Sequence, residues 1–151
     1  MRTHKLTAAL RVTHRPKTKR NHSSAAAAVS ALTGRTAEEA AASINELRDQ
    51  PVSSKVGNAD PAEVLAVLRA LRHSAVEMKV YRRPFLHLWA LAMPQDRPIL
   101  VRSGTHYRVL FNGRVTCSLH PDGLELGTWI NDLVDEAWMV WPMARTASRV
   151  A

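Results

Sequence analysis

Hydrophobic positions in the first half of the chain recur at helical spacing, and in the second half they alternate. After Ser23 and Ser24, "SAAAAVSAL" reads as a small-residue helix, capped at its start by one of the two serines and closed by Gly34. Its alanines allow a neighbouring element to approach closely, which predicts a central, buried position. Thr36 and Glu39 form a capping box ahead of Ala40, Ala41, Ile44 and Leu47, and Pro51 stops that helix. "PVSSKVGN" is a loop by composition. Asp60, Pro61 and Glu63 then supply an N-cap, a first-turn proline and a second capping-box partner. Val64, Leu65, Leu68 and Leu71 give this third helix its apolar face.

The period then changes. In "AVEMKVY", Val76, Met78 and Val80 share one face, as in a half-buried strand. "PILVRS", "HYRVLF", "RVTCS" and "WMVWPM" read as further strands, and Asn112-Gly113 between two of them is a strong hairpin signal. "PFLHLWALAM" reads as a short apolar helix and "TWINDLVDEA" as another. Helices first and antiparallel strands afterwards describe an α+β domain, with N-terminal helices packed on a four- or five-stranded sheet. The glycine-rich turns of a nucleotide-binding α/β fold are missing. A chain of 151 residues has room for one domain. That domain is placed at residues 21–143, between a basic arm at 1–20 and a flexible tail at 144–151.

Charge sharpens this division. The formal net charge is +8, yet Arg2, Lys5, Arg11, Arg15, Lys17, Lys19 and Arg20 lie in the first twenty residues, which hold no acid. The high isoelectric point therefore describes the arm, and the remainder is nearly neutral. An uncompensated basic run points to a polyanion or an acidic partner. Arg11, Arg15, Lys17, Lys19 and Arg20 are the candidate contacts to such a protein partner or nucleic acid. A helix-turn-helix laid over residues 25–44 would put Glu38 and Glu39 on its second helix, where they would repel phosphate.

Other chemistry is sparse. The single cysteine, Cys117, excludes an intramolecular disulfide and reads as a small buried strand residue. His73, His87 and His120 lack ligand spacing, so neither a metal nor a cofactor is expected. The tryptophans at 89, 129, 138 and 141 read as core. No run reaches the length of a membrane span, and the basic start lacks the apolar segment of a signal peptide. The expectation is a cytoplasmic or virion-associated protein without a membrane partner.

One arrangement of residues resembles a known family. "SAAAAVSALTG" is similar to the first helix of compact papain-like cysteine peptidases of phage and bacterial type, with Ser24 where their cysteine stands. "RTAEEAAASI" resembles the helix that follows, "RPILVRSGTHYRVLFNGRV" the strand block with His106 in the histidine position, and "DEAWMVWP" the closing strand. The likeness spans roughly residues 18–142. It implies a papain-like fold in which a helix dipole assists the nucleophile and a histidine from the sheet takes its proton.

The departures from that pattern set the functional reading. The orienting Asp or Asn would fall on Thr116, Cys117 or Ser118, and the oxyanion-stabilising Gln would fall near Thr18. None of these is an acid or an amide. Asp122 lies in a turn. A serine hydroxyl also depends more than a thiol does on a well-oriented base. The sequence therefore points to a catalytically degenerate domain that acts as a binding or structural module, in the manner of a phage virion or accessory protein. For His106 the corresponding non-catalytic role is a partly buried histidine packed on the first helix. The alternative is an active peptidase or amidohydrolase using Ser24, native or engineered from cysteine, with His106.

Overall fold

A computed structural model describes residues 23–143. The arm expected at 1–20, with its candidate contacts Arg11, Arg15, Lys17, Lys19 and Arg20, and the tail at 144–151 lie outside the described residues. Among the described residues three helices come first: α1 (Ser24–Thr33), α2 (Ala37–Leu47) and α3 (Pro61–Ala70). They are followed by β1 (His73–Met78), a short α4 (Leu86–Leu91), β2 (Ile99–Ser103), β3 (His106–Phe111), β4 (Arg114–Thr116), β5 (Leu124–Glu125) and β6 (Glu136–Pro142).

The helix ends follow from local chemistry. Ser23 is the N-cap of α1, its hydroxyl accepting the Ala26 N–H at 3.1 Å, so Ser24 is the first helical residue. Gly34 closes α1 at φ +80°, a conformation that costs a residue without Cβ little. Thr36 with Glu39 and Asp60 with Glu63 form the two capping boxes. Arg48, just after α2, then holds Glu63 at 2.7 Å and the carbonyls of Val56 and Asn58, tying α2 to the start of α3.

The strands form one antiparallel sheet in the order β1-β6-β2-β3-β4-β5. The sheet has six strands, not four or five, because the two residues of β5 pair with β4. Asn112 and Gly113, at φ +54° and +79°, make the β3–β4 hairpin turn that the Asn-Gly pair predicts.

Strand alternation divides the core in two. Leu100, Tyr107, Val109, Trp138 and Val140 pack under α1, α2 and α3, against Ala26, Val29, Ile44, Val64 and Leu68. Ile99, Val101, Leu110, Val115 and Ala137 face the other way, against Leu86 and Ala90 of α4 and against Ile130 and Val134. The segment "TWINDLVDEA" is extended here, not helical. Its backbone pairs across space, Val134 N–H to Pro84 and the Asp132 carbonyl from Leu86 N–H, with a bridge between Phe85 and Leu133. Those partners lie some fifty residues upstream, beyond the reach of a local pattern.

Tyr107 joins the layers. It is fully buried, its hydroxyl donates to the Ala59 carbonyl at 2.9 Å, and burial pushes its pKa up to about 12. Tyr107→Phe leaves that buried carbonyl without its donor. A loss of about 1–3 kcal/mol is expected from the urea midpoint at constant m-value.

Candidate functional site

The start of β3 brings Ser24 and His106 together, although not through their side-chain functional groups. The pairing of Asp135 N–H with the Arg102 carbonyl turns the backbone groups of Arg102 toward β6 and those of Ser103 toward β3. By the same alternation, the backbone groups of His106 and Arg108 point to β2, and those of Thr105 and Tyr107 point to the side of β4. The paired residues of β4 end at Thr116, opposite Val109. Beyond it the chain turns on itself, with Cys117 and His120 exchanging backbone hydrogen bonds at 3.1 and 3.3 Å. Among the described residues no strand is therefore left to pair with Tyr107.

Ser24 occupies that vacancy. Its hydroxyl accepts the Tyr107 N–H at 3.0 Å and donates to the Thr105 carbonyl at 3.4 Å, so one side chain satisfies the backbone on both sides of His106. The alanine-rich face of α1 lets the helix lie close enough on the sheet for a short side chain to reach.

His106 points elsewhere. Tyr107 and Val109 lie under the helices, so alternation puts the imidazole on the opposite side of β3 with Arg108. This differs from the expected packing against α1, and the parity of the strand is the reason. Neither ring nitrogen has a hydrogen-bond partner among the described residues, and Nε2 is buried. Burial pulls the His106 pKa below its ordinary value, the Arg108 guanidinium lowers it further, and Asp132 opposes both. Asp132 pairs with Arg108 at 2.7 Å. The hydroxyl of Ser103, directly across from His106 in the β2–β3 register, is likewise buried and unpartnered.

The turn that delivers His106 is clamped. Gly104 begins it at φ +61°, and its N–H donates to Asp135 Oδ2 at 2.7 Å. Arg102 donates to the Gly104 carbonyl and to Glu136, each at 2.7 Å, and Arg83 closes on Asp135 from the loop before α4. The hydrogen bond from Gly104, with help from Arg83 and Arg102, holds the Asp135 carboxyl below its ordinary pKa against the opposing effect of burial. Asp132 and Asp135 are not marked out by the sequence, because the helix expected over their segment hides the extended backbone that positions them. Their spacing of three was the only local signal.

The positions expected to orient the histidine do not do so. Thr116 pairs with Val109, Cys117 is buried just past the strand, and Ser118 follows it into the turn. Asp122 lies in the turn that ends at Gly123. No group of three or more His, Cys, Asp or Glu residues able to hold a metal ion occurs among the described residues.

No protein-family model, no curated protein and no solved structure matches this chain.

Two titrations follow from the geometry. Asp135 has a depressed folded pKa, so its contribution is present above the unfolded carboxylate value and is lost as pH falls through the folded one. His106 is also depressed, so it favours the fold while neutral and loses that advantage as pH drops below about 6.5. His73, also depressed, acts in the same direction. Urea midpoints measured from pH 8 to pH 3 are expected to decline in both windows. His106→Gln should flatten the upper window in part, and Asp135→Asn should flatten the lower one in part, because Glu39 and Glu63 are also depressed and titrate there.

Proposed function

We propose that this chain is a catalytically degenerate papain-like domain that works as a binding or structural module, with the basic arm at 1–20 contacting a polyanion or an acidic partner. The α+β order, the helix N-terminus set against the start of a histidine-bearing strand, and the antiparallel sheet support the scaffold reading. The use of Ser24 carries the functional one. Its hydroxyl bonds to the backbone of Thr105 and Tyr107, and makes no hydrogen bond to the imidazole of His106. Nucleophilic catalysis requires the opposite arrangement, with the hydroxyl on the base and the base on an orienting group. Asp132, the acid that influences His106, is engaged by Arg108.

The alternative, a hydrolase using Ser24 and His106, is separated by chemistry. A fluorophosphonate probe is expected to leave the full-length chain unlabelled at neutral pH. Labelling that disappears in Ser24→Ala would overturn the binding reading. The arm is tested in the full chain by replacing Arg11, Arg15, Lys17, Lys19 and Arg20 with Gln. Affinity for a single-stranded oligonucleotide and the salt dependence of that affinity should both fall, with the thermal midpoint unchanged. Retained affinity would refute the role given to the arm.

A further inference from the structure

The side of the molecule that carries α4 exposes an apolar stripe. Phe85, Leu88 and Leu91 recur at intervals of three and are 42%, 57% and 57% exposed, while Leu86, His87 and Ala90 between them are buried. Trp129, 70% exposed, extends the stripe. Its ring lies 4.6 Å from the His87 ring and 6.4 Å from Phe85. The expectation that all four tryptophans are core fails at this residue: Trp138 is buried, whereas Trp129 stands in solvent. Tyr81, 71% exposed, precedes the stripe on the loop from β1. These five residues are a majority of the large hydrophobic side chains exposed among the described residues, and four of them fall in one stretch of chain, 81–91.

Within the segment that carries the stripe the charge has one sign; Glu77 and Asp96 stand at its two ends, and Asp132 and Asp135 across from it are paired with Arg108 and Arg83. From Met78 to Gln95 the chain holds Lys79, Arg82 and Arg83 and no acid. Arg83 is engaged by Asp135, but neither Lys79 nor Arg82 has an ion-pair or hydrogen-bond partner among the described residues. The backbone at Arg82 and Arg83 is left-handed, at φ +60° and +41°, a conformation that non-glycine residues rarely hold. This bend leads the cations directly into Phe85.

From this juxtaposition we propose that the α4 face docks on the surface of an anionic phospholipid bilayer. Phe85, Leu88, Leu91 and Trp129 would enter the interface, and Lys79 and Arg82 would meet the headgroups. Aliphatic side chains flanked by Trp, Tyr and unpaired cations suit a surface that is apolar beneath and negative at its rim. A nucleic acid offers no apolar layer for Leu88 and Leu91. The contact proposed is superficial; among the described residues no helix is long and apolar enough to cross a membrane. The proposal rests on this stripe and not on the state of Ser24, and an active hydrolase would carry the same surface.

The test uses the full-length chain with large unilamellar vesicles of phosphatidylcholine alone or with 30% phosphatidylserine. Cosedimentation and tryptophan emission report binding, and brominated lipid reports depth. The expected result is partition to the serine-containing vesicles, a blue shift, and bromine quenching that disappears in Trp129→Phe. Leu88→Ser/Leu91→Ser removes two exposed leucines, so the unfolding midpoint should hold while partition falls by about tenfold or more. Lys79→Gln/Arg82→Gln should weaken the dependence on phosphatidylserine. Binding that survives the double serine variant without quenching at Trp129 would mean that the arm alone holds the vesicle, and overturns the proposal. Absence of partition overturns it equally, as does a Trp129 response to a single-stranded oligonucleotide or an acidic peptide but not to vesicles.

Discussion

A short hydroxyl at the first residue of α1 closes the open side of β3. The constraint behind it is general: a buried strand cannot leave its amide and carbonyl groups unpaired without losing the stability of a hydrogen bond or more at each. Here β4 ends at Thr116 and turns away at Cys117, so among the described residues the side of β3 beyond Val109 has no strand beside it. Ser24 supplies the missing partner to the Tyr107 amide, and its proton goes to the exposed Thr105 carbonyl in the turn before β3. The rest of the arrangement fits around that bond. The alanines of α1 allow the approach, Ser23 caps the helix so that Ser24 stays free to reach the sheet, and Tyr107 anchors the same point from beneath.

Strand parity then separates the two residues that the sequence brings under suspicion. Ser24 meets the backbone of β3, whereas the imidazole of His106 lies with Arg108 and Asp132 on the other side of the sheet. The early end of β4 thus accounts for the occupation of the serine, and the parity of β3 accounts for its separation from the imidazole. The clamp from Asp135 and Arg102 onto Gly104 keeps the turn in this arrangement.

Much of this was legible in the residues themselves. The helix starts at Thr36 and Asp60 and the turn at Asn112-Gly113 are written in local chemistry, because caps and left-handed turns need particular side chains within three or four positions. The juxtaposition of α1 with the strand of His106 came from the order of motifs. The contacts made by Ser24 could not be read, since they depend on where β4 stops, and a two-residue β5 carries almost no pattern. Asp132 and Asp135 escaped notice for a related reason. Extended chain whose partners are Pro84, Leu86 and Arg108 has the same local spacing of apolar residues as a short helix. Placement on an expected apolar helix assigns Trp129 to the core, and only the packed structure shows that Ile130 takes the buried place beside it.

The claim on which the account turns is that the Ser24 hydroxyl is a backbone partner of β3. Amide hydrogen exchange followed by NMR in the full-length chain and in Ser24→Ala addresses it at the atom concerned. The account predicts that protection at the Tyr107 amide drops selectively in the variant, well beyond any change at Val109, which keeps its partner in β4. Equal protection at Tyr107 in the two proteins would contradict it.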